Sequence, residues 1–164
     1  MKQVINILIN NSRIENLRRK YDSSFKKVKT HLTLVYPFEV YNQEELKKHI
    51  EYCIKNFPPF EIVFQKVRKS KNFLVLDVTT NKHKVLELYK KLNSGILSGF
   101  ENKDLSIYFP HITLGIFNSH EELMDVINEL REIGSNYRIV IDKINLVTLN
   151  KDDSIKEVEN FELK

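Results

Sequence analysis

Two short stretches decide how this chain is read: THLTLVYPF at residues 30–38 and PHITLGIF at residues 110–117. Each runs histidine, apolar residue, threonine, apolar residue: His31-Leu32-Thr33-Leu34 in the first, His111-Ile112-Thr113-Leu114 in the second. Successive side chains of a strand point to opposite faces. Each histidine therefore shares a face with its own threonine, and the apolar pair looks into the core. Two strand steps of about 3.3 Å set imidazole and hydroxyl about 7 Å apart, so both can reach one bound phosphate.

A single histidine on a strand is usually a satisfied, half-buried residue, and either motif alone is a weak signal. The repeat, 80 residues on, makes it a chemical one. Histidine titrates near neutrality, so one imidazole can be neutral while the other is protonated. The neutral ring takes a proton from water or a hydroxyl, and the charged ring gives one to the leaving oxygen. Such help is worth about 10²–10⁴-fold. The threonine hydroxyls can hydrogen-bond the non-bridging oxygens, where charge develops. Two histidines are too few for zinc, and no further ligands sit beside them at ligand spacing, so neither metal nor cofactor is expected.

Around these stretches the pattern alternates strand and helix. QVINILI (3–9) reads as a strand, and Ser12 with Glu15 forms a capping box that opens a helix to about Tyr21. Asn42 and Glu45 cap a second helix, whose apolar face is Leu46, Ile50, Cys53 and Phe57, with Pro58-Pro59 as its stop. FEIVFQKV and NFLVLDVTT are two strands joined by the basic turn 68–72. A helix over about 82–94 ends near Gly95 and leads into the polar loop 98–107. Ser119 and Glu122 open a helix with Leu123, Val126, Leu130 and Ile133 inward, closing at Gly134. Strands at 137–149 and 154–163 finish the chain.

The order repeats at about 3–68 and 72–147, with a histidine strand at the same place in each. The expected fold is α+β and bilobal: two pseudo-symmetric lobes of antiparallel sheet plus helices around a central groove, one domain over 1–164. With 41% hydrophobic residues the chain can bury a core. Its net charge of +4 is only mildly basic and is a weak argument for nucleic acid. Cys53 is the single cysteine, so no intramolecular disulfide forms, and a cytoplasmic location is expected. No apolar run approaches the roughly 20 residues a membrane span needs. Nothing marks an obligate protein partner.

The two motifs resemble those of the 2H phosphoesterases, a superfamily defined by paired His-x-Thr/Ser-x motifs about half a chain apart. Arg18-Arg19-Lys20-Tyr21-Asp22 and Pro37-Phe38-Glu39-Val40 are similar to its small bacterial members. The resemblance implies a groove lined by both motifs, with His31 and His111 as the acid–base pair and Thr33 and Thr113 as phosphate ligands. It implies activity on 2′,3′-cyclic phosphates, 2′-5′ linkages or related ends of RNA and nucleotides. The RNA 2′-5′ ligase branch continues its first motif toward Leu-Gly, where this chain has Tyr36-Pro37-Phe38. Hydrolysis is therefore the first expectation. Ligation and nucleotide binding without turnover are the alternatives.

Alternation also brings Phe109, Gly115 and Phe117 to the His111 face, Gly115 leaving room for a ligand. Phe117, Phe109 and Phe73 are the candidates for stacking on a base. Arg68, Lys69 and Lys71 fall in a turn that could steer a phosphate chain, although a solvated hairpin tip is the first reading. His49, His83 and His120 lie on helices and read as surface residues.

Overall fold

The computed structural model describes residues 1–100, 107–134 and 136–164. In order these form β1 (Lys2–Leu8), α1 (Ser12–Tyr21), β2 (His31–Glu39), α2 (Gln43–Ile54), β3 (Phe60–Ser70), β4 (Phe73–Thr80) and α3 (Lys82–Leu92). A 3₁₀ turn (Gly95–Leu97) follows, then β5 (His111–Ile116), α4 (His120–Ile133), β6 (Tyr137–Ile141), β7 (Lys143–Leu149) and β8 (Ile155–Glu162). The part of the polar loop at 101–106 and the side chain of Ile133 lie outside the described residues.

All eight strands join one antiparallel sheet in the order β6-β3-β4-β5-β2-β1-β7-β8. The fold is α+β, as the sequence pattern predicts. The stretch expected as one strand over 137–149 breaks at Asp142 into two. β6 pairs with β3 at one end of the order, while β7 pairs with β1 and β8 near the other. A single residue, a Cα step or two of about 3.8 Å, connects them, so the two ends of the sheet must approach each other. The sheet is accordingly a strongly curled half-barrel. The Leu163 amide donates to the Asp142 carbonyl at 2.7 Å and pins the crossing.

The sheet divides at β5–β2, where register rests on one pair, Leu32 opposite Ile112. One half (β6-β3-β4-β5) comes from the continuous stretch 60–141, and the other (β2-β1-β7-β8) joins the two ends of the chain. The core is apolar and continuous through Ile5, Leu32, Leu34, Phe64, Leu74, Leu76, Ile112 and Leu114.

Local chemistry sets the helix ends. Asn42 accepts from the Glu45 amide at 3.1 Å and Ser119 Oγ from the Glu122 amide at 3.3 Å, as the capping pattern predicts. For α1 the cap is not Ser12 but Asn11, one residue earlier, whose Oδ1 accepts from the Arg13 and Ile14 amides at 3.1 Å. Either residue type caps well, and only the backbone trajectory decides between them. On α2 the predicted face is the buried one: Leu46, Ile50 and Cys53 enter the core, as does Phe57, which lies three residues past the end of the helix. No helix among the described residues is long and apolar enough to cross a membrane.

Candidate functional site

The two histidine strands are neighbours at the middle of the sheet. Leu32 and Ile112, opposite each other, are fully buried, whereas His31, Thr33, His111 and Thr113 lie half-buried on the other face. Moving one step from the Leu32–Ile112 pair along antiparallel strands sets His31 toward Thr113 and Thr33 toward His111. Each histidine thus faces the threonine of the other motif.

Both imidazoles are held in the same way. His31 Nδ1–H donates to the Lys29 carbonyl at 2.7 Å, and His111 Nδ1–H to the Phe109 carbonyl at 2.8 Å. A carbonyl only accepts, so Nδ1 keeps its proton in both charge states and Nε2 is the nitrogen that titrates. Burial lowers the pKa of His31; Arg18 and His111 push the same way, against the Lys29 carbonyl and Asp22. Burial also lowers His111, with Arg68 adding to it and the Phe109 carbonyl and Asp77 opposing. Both rings are therefore poised below the ordinary imidazole value until an anion binds.

Each half-site has an arginine–aspartate pair behind its histidine. Arg18 is 3% exposed, ion-paired to Asp22, and donates to the Val28 carbonyl at 2.9 Å and Thr30 Oγ1 at 3.2 Å. Those bonds shape the segment that enters β2. Arg68 is half-buried, reaches Asp77 at 2.5 Å, and lies over the Phe109 ring at 4.0 Å. Asp77 is the cross-strand partner of His111, and its Oδ1 has no hydrogen-bond partner among the described residues. Tyr108 ties the halves together: its hydroxyl donates to the Thr33 carbonyl at 2.7 Å, and its ring stacks on Tyr89 at 3.8 Å. Burial pushes the Tyr108 pKa up, so it remains a neutral donor.

The remaining candidates divide. Phe109 lies against His111, ring centroids 4.5 Å apart, with Arg68 over its face. Phe117 is buried and packs on Tyr21 at 6.1 Å, which leaves no face for a base. Phe73 pairs with Ile116, four residues along the strand from the Asp77–His111 pair, about 13 Å away. The space expected at Gly115 is filled by helix α1: a Cβ there would meet the Tyr21 carbonyl oxygen at 2.5 Å. Arg68 and Lys69 belong to β3 and not to the turn, because Lys71, at φ 55°, makes the reversal with Asn72 alone. His83 is exposed, and exposed His120 accepts from Lys69 Nζ at 2.8 Å. His49 is not a surface residue: half-buried, its Nε2–H donates to the Leu92 carbonyl at 3.1 Å, beside Cys53. Asp77 and Tyr108 escaped the sequence reading, and Arg68 entered it only as part of a basic turn. Only the opposite charges of Arg68 and Asp77, diagonal to each other across a hairpin, could have signalled the pair.

No group of three or more histidine, cysteine, aspartate or glutamate side chains able to hold a metal comes together among the described residues.

Comparison with known proteins agrees with this fold. A Thermus thermophilus crystal structure superposes with a TM-score of 0.67 at 17% identity, covering 99% of this chain and 98% of its own. Escherichia coli LigT complexed with 3′-AMP superposes at 0.58 with 12% identity, covering 99% and 95%. A Geobacillus kaustophilus (strain HTA426) protein, provisionally named a phosphoesterase, is 30% identical over 151 residues, 88% of this chain and 84% of its own. The family model described as the 2′-5′ RNA ligase superfamily matches residues 9–153. With both histidine motifs inside that match, the chain belongs to the 2′-5′ RNA ligase superfamily, the 2H phosphoesterases.

Proposed function

We propose that this chain is a metal-independent phosphoesterase that hydrolyses a 2′,3′-cyclic phosphate or a related phosphodiester at an RNA or nucleotide end. His31 and His111 are its proton-transfer pair, and Thr33 and Thr113 hold the phosphate oxygens. The observation that carries this is the matched pair of Nδ1 clamps, which fixes both tautomers and leaves both Nε2 atoms for substrate. Acid–base transfer then needs no further group. Phe109, held by Arg68, is the aromatic best placed near the reacting end. The cytoplasm suits a chain whose single cysteine is buried and whose thiol pKa burial pushes up to about 11.

The direct test is turnover of a 2′,3′-cyclic nucleotide in excess EDTA. Hydrolysis should persist. Loss on chelation, restored by zinc or manganese, would replace this mechanism with a metal-assisted one. The family description also raises ligation of RNA half-molecules. Joined 2′-5′ product in place of hydrolysis would reverse the proposed direction, and tight nucleotide binding with no turnover would make the groove a binding module.

A further inference from the structure

The two halves of the sheet share one register pair, Leu32 opposite Ile112, and part beyond it. Local sequence explains the parting. Pro110, just before β5, has no N–H to give to β2, and its carbonyl accepts from the Val78 amide of β4 at 3.0 Å. Across from it β2 is bulged: Thr33 pairs with Asn6 and Val35 with Ile5, so Leu34 is the extra residue against β1. The Thr33 and Leu34 carbonyls are then taken by side chains from outside the sheet. Asn93 Nδ2, at the end of α3, donates to the Leu34 carbonyl at 2.9 Å, and the Tyr108 hydroxyl donates to the Thr33 carbonyl at 2.7 Å. The two donors are braced together, because Asn93 Nδ2 also donates to the Tyr89 carbonyl at 2.8 Å and the Tyr89 ring stacks on Tyr108, planes 3° apart. The residue after Tyr108 is Phe109, whose carbonyl clamps His111.

We propose that Tyr108 is a positioning residue: its hydroxyl holds the Thr33 carbonyl and so sets the gap across which Thr33 faces His111. The proposal rests on the phosphoesterase reading, which puts a phosphate in that gap. Thr33 lies one residue past the last register pair between β2 and β5, so the ladder does not fix its distance from His111. Tyr108 does, with one end bonded to Thr33 and its backbone one peptide from the His111 clamp. A carbonyl that drifts carries the hydroxyl of the same residue with it. Misplacing a reacting or stabilising group by about 1 Å costs on the order of 10²-fold in rate. Tyr108 touches neither substrate nor proton in this scheme and acts only through Thr33.

A double-mutant cycle tests this on wild type, Tyr108→Phe, Thr33→Val and the double variant. Tyr108→Phe removes the hydroxyl and keeps the ring that Tyr89 stacks on. Each protein is assayed on a 2′,3′-cyclic nucleotide and titrated calorimetrically with inorganic phosphate. Tyr108→Phe should lower kcat about 10- to 100-fold, raise KM less than about threefold and weaken phosphate about threefold. In the Thr33→Val background the same substitution should cost less than about twofold in either measurement, because the hydroxyl it aligns is gone. A kcat within about twofold of wild type in Tyr108→Phe, even with a lower unfolding temperature, overturns the proposal, as do losses that multiply in full in the double variant. The phosphate titration separates the two readings. Coupled losses of phosphate affinity in a protein that turns over no cyclic nucleotide sink the hydrolase and keep the positioning role. An active hydrolase with uncoupled losses keeps the hydrolase and drops Tyr108. A wild type that neither binds phosphate nor hydrolyses the nucleotide sinks both.

Discussion

The half-site around His31 and the half-site around His111 share a four-residue motif and a backbone clamp on Nδ1, and diverge in the arginine–aspartate pair behind the imidazole. Behind His31 stands Arg18, sealed in the protein with Asp22 and spent on carbonyl and hydroxyl partners. Behind His111 stands Arg68, partly open to solvent, over an aromatic ring, paired to an aspartate with one oxygen unmatched. The first cation is architecture; the second can still respond to a ligand. A repeated motif therefore need not mean repeated duty, because the charge and burial around each imidazole decide its role.

Deleting either imidazole is the severest way to break the comparison. His31→Ala and His111→Ala should each lower kcat/KM about 10²–10⁴-fold with little change in thermal unfolding, because both rings are half-buried beside the groove. Near wild-type turnover in either variant would refute the pair. A nitrophenolate leaving group, which needs no protonation, sharpens the test. Such a substrate should rescue only the variant that lacks the proton donor. Equal rescue of both would end the division of roles.

The arginines come next. Arg18→Ala leaves the Asp22 carboxylate buried without its cation and should cost about 3–5 kcal/mol in denaturant unfolding. Arg68→Ala should cost below about 1 kcal/mol, since its pair is partly exposed. Its effect belongs in the pH profile. Arg68 holds His111 down and Asp77 holds it up, so removing Arg68 should move one limb of the kcat/KM profile to higher pH, with Arg68→Lys restoring it. The profile itself should be a bell whose apparent pKa values belong to the coupled pair. A limb that stays put in Arg68→Ala would remove Arg68 from the site.

The smallest effect is on stability. Both histidines have folded pKa values below the ordinary imidazole value, so the unfolded chain binds protons that the folded one refuses. Their contribution is complete above about pH 6.5 and shrinks as the pH falls below that. Urea midpoints at pH 7.5 and 5.5 should differ less in the double variant His31→Gln/His111→Gln than in wild type. An unchanged difference would place the acid sensitivity elsewhere.

The histidine strands, the caps at Asn42 and Ser119 and the buried face of α2 could be read in the sequence because each depends on residues a few positions apart. What escaped depends on distant partners. Phe117 and Gly115 alternate onto the histidine face on paper, yet Tyr21, from a helix almost a hundred residues earlier, occupies that space. Arg68 looked like a hairpin tip because a two-residue reversal at Lys71-Asn72 cannot be told from a longer basic turn by composition. The break at Asp142 carries no Gly or Pro signal; only the curl of the sheet demands it. Asn6 stands in an ordinary strand pattern, and its unmet oxygen becomes visible only when β7 closes over it.

The sheet half bearing His111 is built from 60–141, whereas the half bearing His31 must wait for β7 and β8. On a ribosome, the second histidine's half has all its strands while the first histidine's half still lacks two. The last four-stranded part of the sheet to form is thus the one that carries His31, and its β1–β7 pairing spans nearly the whole chain, the slowest kind of contact to close. A nascent chain released before residue 143 would carry both motifs and still have no finished groove.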